Sequence, residues 1–303
     1  MLEGVTLDQL RMFIAAAEMQ SFSAAGRSLR RAQSVISQAI ANLEAQLGVT
    51  LFTREGRYPE LTEPGKLLLT DARAVTGSLA ALKARAKGMA EGLEPELSVA
   101  IDVMFPMDVL TRAAAAFGEL FPVTPLRLYV EALGGVAKAV LDRQCGIGIM
   151  GSLPISTPDL VTERLLAVQI SFFAAPGHPL VKLGRPVTEC DLAQHIQLVL
   201  TDRTDLSKGR EFSVMSPRSW RLADMGAKHA FLLAGLGWGG MPLEMVVRDL
   251  REGALVELKL LDAPPRVQMA MSAAYRADAP PGPAGRWFVE QLKHHAWALE
   301  ASG

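Results

Sequence analysis

Apolar positions in the first ninety residues recur at helical spacing. Thr6 and Gln9 form a capping box ahead of the stripe Leu7, Leu10, Phe13, Ile14 and Ala17. Ser23 can cap a second short helix over Ala24 to Leu29. A third helix is predicted over Ala32 to Leu47, with Val35, Ile36, Ala39, Ile40, Leu43 and Leu47 on one side and Ser34, Ser37, Gln38, Ala41 and Ala45 opposite. Gly48 ends it. Leu51-Phe52-Thr53 and Tyr58-Pro59-Glu60-Leu61 then flank the turn Arg54 to Arg57, which reads as a two-stranded wing.

A long helix is expected from about Thr62, carrying Leu68, Ala72, Val75, Leu79, Leu82, Ala86 and Met89 in alternating steps of four and three. A domain this short has little to cover so long a stripe. The seam Leu68, Val75, Leu79, Leu82 and Met89 is therefore expected to pair two chains, in parallel or antiparallel. Packing on its own domain is the plainer alternative. Gly77 is a local weakness costing about 1 kcal/mol. The pattern changes after Glu91 to Pro95, the best domain boundary. Beyond it, strand-like runs (Leu97–Ile101, Leu126–Val130, Gly146–Met150, Ile170–Ala174, Ile196–Leu200, Val267–Ala274) alternate with helical stretches such as Asp108–Phe121 and Val136–Asp142. Such alternation argues βαβ units with mostly parallel sheets, whose ligands bind at the carboxyl ends of strands. The expected division is 1–62, 63–92 and 93–303, the last split into one lobe of 93–165 with 268–303 and a second of 166–267.

The 303 residues are 50% hydrophobic and 21% charged, the balance of a soluble globular chain of roughly two domains. Two cysteines, Cys145 and Cys190, are too few for a disulfide scaffold. Cys145 reads as buried and inert, and Cys190 stands where a helix start could stabilise a thiolate. No secretory signal is visible, and Phe231–Val247 is short and interrupted for a membrane span, so a reducing cytoplasm and no membrane are expected. None of the five histidines forms a metal-ligand pattern; no metal, cofactor or enzyme chemistry is expected, and nucleophile-elbow and phosphate-loop motifs are absent.

Net charge is −1, but residues 1–92 hold 11 Lys/Arg against 9 Asp/Glu and the remainder 20 against 23. Arg27, Arg30, Arg31 and Arg54 oppose only Glu44 and Glu55 between residues 20 and 55. Three short helices and a wing make a winged helix-turn-helix whose third helix enters the major groove, where Ser and Gln exchange hydrogen bonds with base edges. Arg30 and Arg31 in the turn and Arg54 and Arg57 in the wing sit where phosphate contacts lie. Periodicity alone also describes a plain three-helix bundle with a solvated Ser/Gln face.

The stretches Ser21–Ala25, Gln33–Ile40, Leu43–Val49, Leu51–Arg54 and Leu61–Gly65 resemble, in order and spacing, the DNA-binding domain of LysR-type transcriptional regulators. The resemblance implies that Gln33, Ser34, Ser37 and Gln38 read DNA and that Arg54 is the wing arginine; Ser23, Arg30, Arg31 and Arg57 are expected to complete the interface. The family usually has Pro at the position of Ser34 and Ala or Gly in the helix 2–3 turn. Ala234–Pro242 and Leu250–Val256 are similar to its co-inducer domain, a two-lobed, periplasmic-binding-protein-like α/β fold. There the family usually has Asp where Gly146 stands and a smaller apolar residue where Trp238 stands. By position the resemblance implies a cleft lined by Asp102, Met104, Phe105, Gly151, Ser152, Thr201, Asp202, Asp224 and Met225, with Trp238 as cleft wall, packed core or stacking plate.

The implied protein is a DNA-binding regulator modulated by a small-molecule effector. It would form homodimers and homotetramers, act on double-stranded DNA and meet RNA polymerase. The competing class is a small-molecule-binding protein or enzyme whose N-terminal helices are only a dimerisation arm. It would have no need of a Ser/Gln face opposite the core.

Overall fold

The computed structural model describes residues 4–53, 59–151, 157–207, 212–261, 264 and 266–300, with side chains through Ala296. It divides into two compact units, Met1–Gly88 and Met89–Gly303.

The first unit begins with α1 (Leu7–Met19), opened by the Thr6/Gln9 capping box. Next come α2 (Phe22–Ser28) and α3 (Gln33–Leu47), which ends on Gly48 in the left-handed conformation. The cap of α2 corrects the expectation. Ser21, not Ser23, is the N-cap and accepts from the Ala24 N–H, so the helix starts two residues earlier, at Phe22. The apolar faces meet in one core of Phe13, Ala16, Ala25, Ile36, Ile40, Leu43, Leu51 and Phe52. Phe52 receives Phe13 and Phe22 edge-on. Val35 is the exception: it was expected on the apolar side and is 42% exposed.

The wing strands β1 (Phe52–Thr53) and β2 (Glu60–Leu61) pair antiparallel. The turn between them, 54–58, lies outside the described residues. Glu44 fixes the entry to the wing, accepting from the N–H groups of Leu51 and Phe52. Thr62 then caps α4 (Glu63–Ala90), its hydroxyl accepting from Gly65 N–H at 2.9 Å. A Cβ at Gly65 would drive into the Leu51 carbonyl. Gly65→Ala is expected to cost about 1–3 kcal/mol, as overpacking does. A lower melting temperature of the full chain checks this, and an unchanged one shows that the helix yields.

Along α4, Leu69 and Ala72 are buried and Leu68 packs on the same core, so the first turns belong to the domain itself. Val75, Leu82 and Met89 are 48%, 61% and 52% exposed.

The second unit is a mixed α/β domain. Its strands are β3 (Leu97–Asp102), β4 (Leu126–Glu131), β5 (Ile147–Gly151), β6 (Leu160–Ala174), β7 (Gln197–Leu200), β8 (Ser219–Leu222), β9 (Trp238–Pro242), β10 (Val256–Glu257) and β11 (Val267–Arg276). Its helices are α5 (Met107–Leu120), α6 (Gly134–Leu141), α7 (Pro179–Lys182), α8 (Glu189–Ala193), α9 (Met225–Leu233), α10 (Leu243–Glu252) and α11 (Pro283–Glu300). Among the described residues one sheet runs β4-β3-β5-β11-β6-β9-β7-β8, with β10 on β6.

The expectation of mostly parallel sheets holds only towards the two ends. There β3 pairs with β4 and β5, and β7 with β8 and β9, in parallel. In the middle, β6 pairs antiparallel with β11 and β9, and β11 antiparallel with β5. The 15-residue β6 and ten-residue β11 form a long ribbon with a bulge at Met271/Ser272. It joins two apolar centres. One packs β3, β5 and β11 against α5 and α11 through Ile101, Phe117, Ile149, Met271 and Phe288. The other gathers Phe173, Leu198, Leu200, Met225, Leu232 and Met241. Glu94 caps α11, its two carboxylate oxygens accepting from the N–H groups of Ala284 and Gly285 at 3.0 and 2.9 Å. That places the chain's return beside the start of β3.

Candidate DNA-reading face and ligand cleft

Helices α2 and α3 pack closely because residue 26 is glycine. Arg31 N–H donates to the Gly26 carbonyl at 2.8 Å, and a Cβ on Gly26 would stand 2.7 Å from the Arg31 carbonyl oxygen. The turn bends through Arg30 in the left-handed region, φ 55°. This geometry leaves Gln33, Ser34, Ser37 and Gln38 all exposed on α3. Gln38 donates to Asn42 Oδ1 at 2.9 Å, which orients its amide. Asn42 is exposed and was missed by the sequence reading. Its one-turn spacing from Gln38 is the signal that could have found it.

Ser23 stays on the exposed surface inside α2 and accepts from Arg27 at 2.9 Å. Arg30 and Arg31 are exposed, and Arg31 meets Asp8 only at 3.9 Å with both side chains more than half in solvent. Such a pair is worth little and leaves the guanidinium free to meet a phosphate. Arg54 and Arg57 lie outside the described residues. The face thus has an uncharged centre with arginines beside it, which suits base contacts flanked by phosphate contacts.

In the second unit the structure brings some of the expected cleft residues together and removes others. Asp102, at the carboxyl end of β3, is buried and accepts the Met104 N–H at 2.9 Å, with backbone bonds to Leu133 and Gly151 as well. Burial pushes its carboxyl up to about 6 against the opposing pull of those bonds. It therefore ties the ends of β3 and β5 to the start of α6. Asp202, after β7, reaches the same helix start: a Cβ on Gly134 would stand 2.9 Å from its Oδ2. Thr204 donates to that oxygen at 2.8 Å. Thr201 is half-buried beside it. Val103 and Leu133 from one half pack with Leu200 and Met225 from the other, and Met104 rests on that cluster.

Two residues, Phe105 and Trp238, leave the cleft. Phe105 is 2% exposed and fills the core of the β3–α5 half. Met225, 3% exposed, stays at the seam in the cluster just described. Trp238 is fully buried in a separate cluster with Leu180, Val187, Leu192 and Leu258 and packs on Phe172 at 5.8 Å. For Phe105 and Trp238 burial of a large apolar side chain outweighs display. Asp224 is an N-cap, accepting from Ala227 N–H at 2.6 Å. Gly151 is buried, with Met269 Sδ where its side chain would stand, and Ser152 lies outside the described residues.

Cys145 is buried and its thiol is pushed up to about 11, chiefly by burial; Cys190 is exposed. Lys228 on α9 is 4% exposed and donates to the Gly240 carbonyl at 2.6 Å. Burial lowers its ammonium to about 8 from 10.5. The folded state thus binds this proton less tightly than the unfolded chain does. The buried charge costs most below pH 8, and the cost disappears as pH rises through 10.5. Lys228→Met is expected to stabilise the protein by about 3 kcal/mol at pH 7, from one pKa unit per 1.36 kcal/mol. Melting curves of the pair should converge between pH 8 and 10.5; a gap independent of pH would assign the gain to packing instead.

An exposed reading helix on a winged helix-turn-helix, continued through a long helix into an α/β domain with polar strand ends at a shared seam, defines a ligand-responsive DNA-binding regulator. Residues 7–66 match the bacterial regulatory helix-turn-helix of the lysR family, and residues 90–297 match the LysR substrate binding domain. The chain belongs to the LysR family of transcriptional regulators. It is 29% identical to the regulator YeeY of Escherichia coli K12 over 84% of this chain and 83% of that one. It is 27% identical to the transcriptional activator AllS of Klebsiella pneumoniae over 82% and 93%. Among solved structures it resembles an OxyR mutant from Corynebacterium glutamicum, with TM-score 0.56, 23% identity and 98% and 96% coverage. It also resembles a full-length BenM mutant, with TM-score 0.51, 21% identity and 98% and 97% coverage. The protein is thus a DNA-binding regulator whose activity a small molecule modulates, rather than an enzyme with a helical arm. Among the described residues no helix is long and apolar enough to cross a membrane.

Proposed function

We propose that two chains pair along the exposed part of α4 and set two copies of α3 on successive major grooves of an interrupted palindrome. Ser34, Ser37, Gln38 and Gln33 read base edges there, with Ser23, Arg30, Arg31, Arg54 and Arg57 around them. The observation that carries this reading is the uncharged, exposed Ser/Gln face of α3 on a core that has no use for it. The effector binds where the two halves of the α/β domain meet, near Asp102, Met104, Thr201 and Asp202. It shifts the balance between two dispositions of those halves by binding one better than the other. This reading calls for no cofactor. The protein works in the cytoplasm as a dimer of dimers and acts on transcription through RNA polymerase.

The test is a footprint of the purified protein on DNA upstream of its own gene and of the divergent neighbour, over a salt series. The expected result is protection of two half-sites spaced by whole helical turns, weakening steeply with salt. Diffuse protection at every sequence would overturn the assignment of α3.

A further inference from the structure

Val35 is an apolar side chain on a reading surface. Ile36, Ile40 and Leu43 mark the buried direction of α3. Val35 and Ser37 lie about 100° to either side of it, with Ser34 and Gln38 between them on the outward arc. Val35 is 42% exposed in the first turn of the helix, the part of a recognition helix that meets base edges. A single exposed valine on an ordinary surface means nothing. Here it interrupts a row of hydrogen-bonding side chains, and it is β-branched, which is no help to an exposed helix position.

The chemistry of the major groove narrows what such a side chain can meet. The donors and acceptors of G, C and A find no partner in an isopropyl group, and desolvating them unpaired is costly. The one apolar group in the groove is the C5 methyl of thymine. We propose that Val35 packs on a thymine methyl in each half-site, beside the bases read by Ser34 and Gln38, and so selects thymine there. This inference rests on α3 being the DNA-contacting helix.

The experiment uses the full chain. Its preferred duplex is first selected from a randomised pool. Each thymine is then replaced in turn by deoxyuridine, which removes only the methyl group. One thymine per half-site is expected to lose about fourfold in affinity on replacement, the value of one buried methyl group. In Val35→Ala the same replacement should cost less than about twofold, because the packing partner has been shortened. The exposed position makes an unchanged melting temperature the control. Deoxyuridine that is neutral at every thymine, or equally costly in Val35→Ala, overturns the role of Val35 while leaving the DNA-reading helix intact. A pool that yields no preferred sequence overturns both, and does so before any deoxyuridine duplex is made.

Discussion

Val75→Asp combined with Leu82→Asp should part the two chains that pair along α4 and leave little affinity for the operator. Both residues are largely exposed in the single chain, at 48% and 61%, while Leu69 and Ala72, just before them, are already buried in the DNA-binding domain. Seating a Val or Leu against a partner is worth about 1.5–3 kcal/mol per side chain, and four such side chains meet in a dimer. Two carboxylates per chain in that seam would also be desolvated beside one another. The monomer–dimer constant is therefore expected to weaken by more than about 10⁴-fold. Light scattering reads this as a halved mass. Losing the second reading helix removes an effective concentration in the millimolar range, so operator affinity should fall by about 10²–10⁴. The isolated fold should survive, since neither side chain contributes to its core. A mass unchanged from wild type would place the dimer elsewhere on the chain.

Ser37→Ala with Gln38→Ala is the second large effect, and it leaves the dimer intact. A well-placed amide contact discriminates by about 1–3 kcal/mol, and the dimer makes each contact twice. Affinity for the preferred duplex should drop by two or more powers of ten, while binding to unrelated DNA stays where it was. Because both side chains are uncharged, the slope of log affinity against log salt should not change. Loss of the Arg31 charge should do the reverse, flattening the slope and weakening all sequences alike. Specific affinity unchanged in the double variant would remove these residues from base reading.

The first unit was legible because its signals are local. A 3.6-residue period, a capping box and Gly48 each act within a few residues. Two details escaped. Ser21 and Ser23 are both capable caps, and the choice falls to Ser21 because Phe22 belongs inside α2, where it packs edge-on against Phe52. Val35 looked like core from its side chain alone, but it sits at the margin of the apolar arc.

The second unit was less legible where pairing is distant in sequence. The first half of β6 carries Glu163 and Arg164 and shows no clean alternation; it becomes a strand because β11 lies beside it. Trp238–Pro242 has two glycines and a proline, a poor strand by propensity. It is extended because the Leu198 carbonyl stands 2.6 Å from where a Gly239 Cβ would be, so only glycine lets β9 approach β7 there. The cleft was the least legible part. A polar residue at a strand end can face a ligand or satisfy the fold. Asp102 and Asp224 satisfy backbone N–H groups, and nothing in their sequence neighbourhood distinguishes the two uses.

The place of β11 also sets an order of assembly. Met271 pairs with Gly151 on one side and Leu166 on the other, partners 120 and 105 residues earlier. During synthesis β5 and β6 leave the ribosome with the strand that belongs between them not yet made. Contacts at such separation close slowly. At about 5–20 residues per second the two strand edges stay open for roughly ten seconds. The DNA-binding unit has all its core partners by Ala72. A nascent chain is thus able to fold its reading helix well before the domain that governs it is sealed, and through that interval the open edges of β5 and β6 are exposed to pairing with other chains.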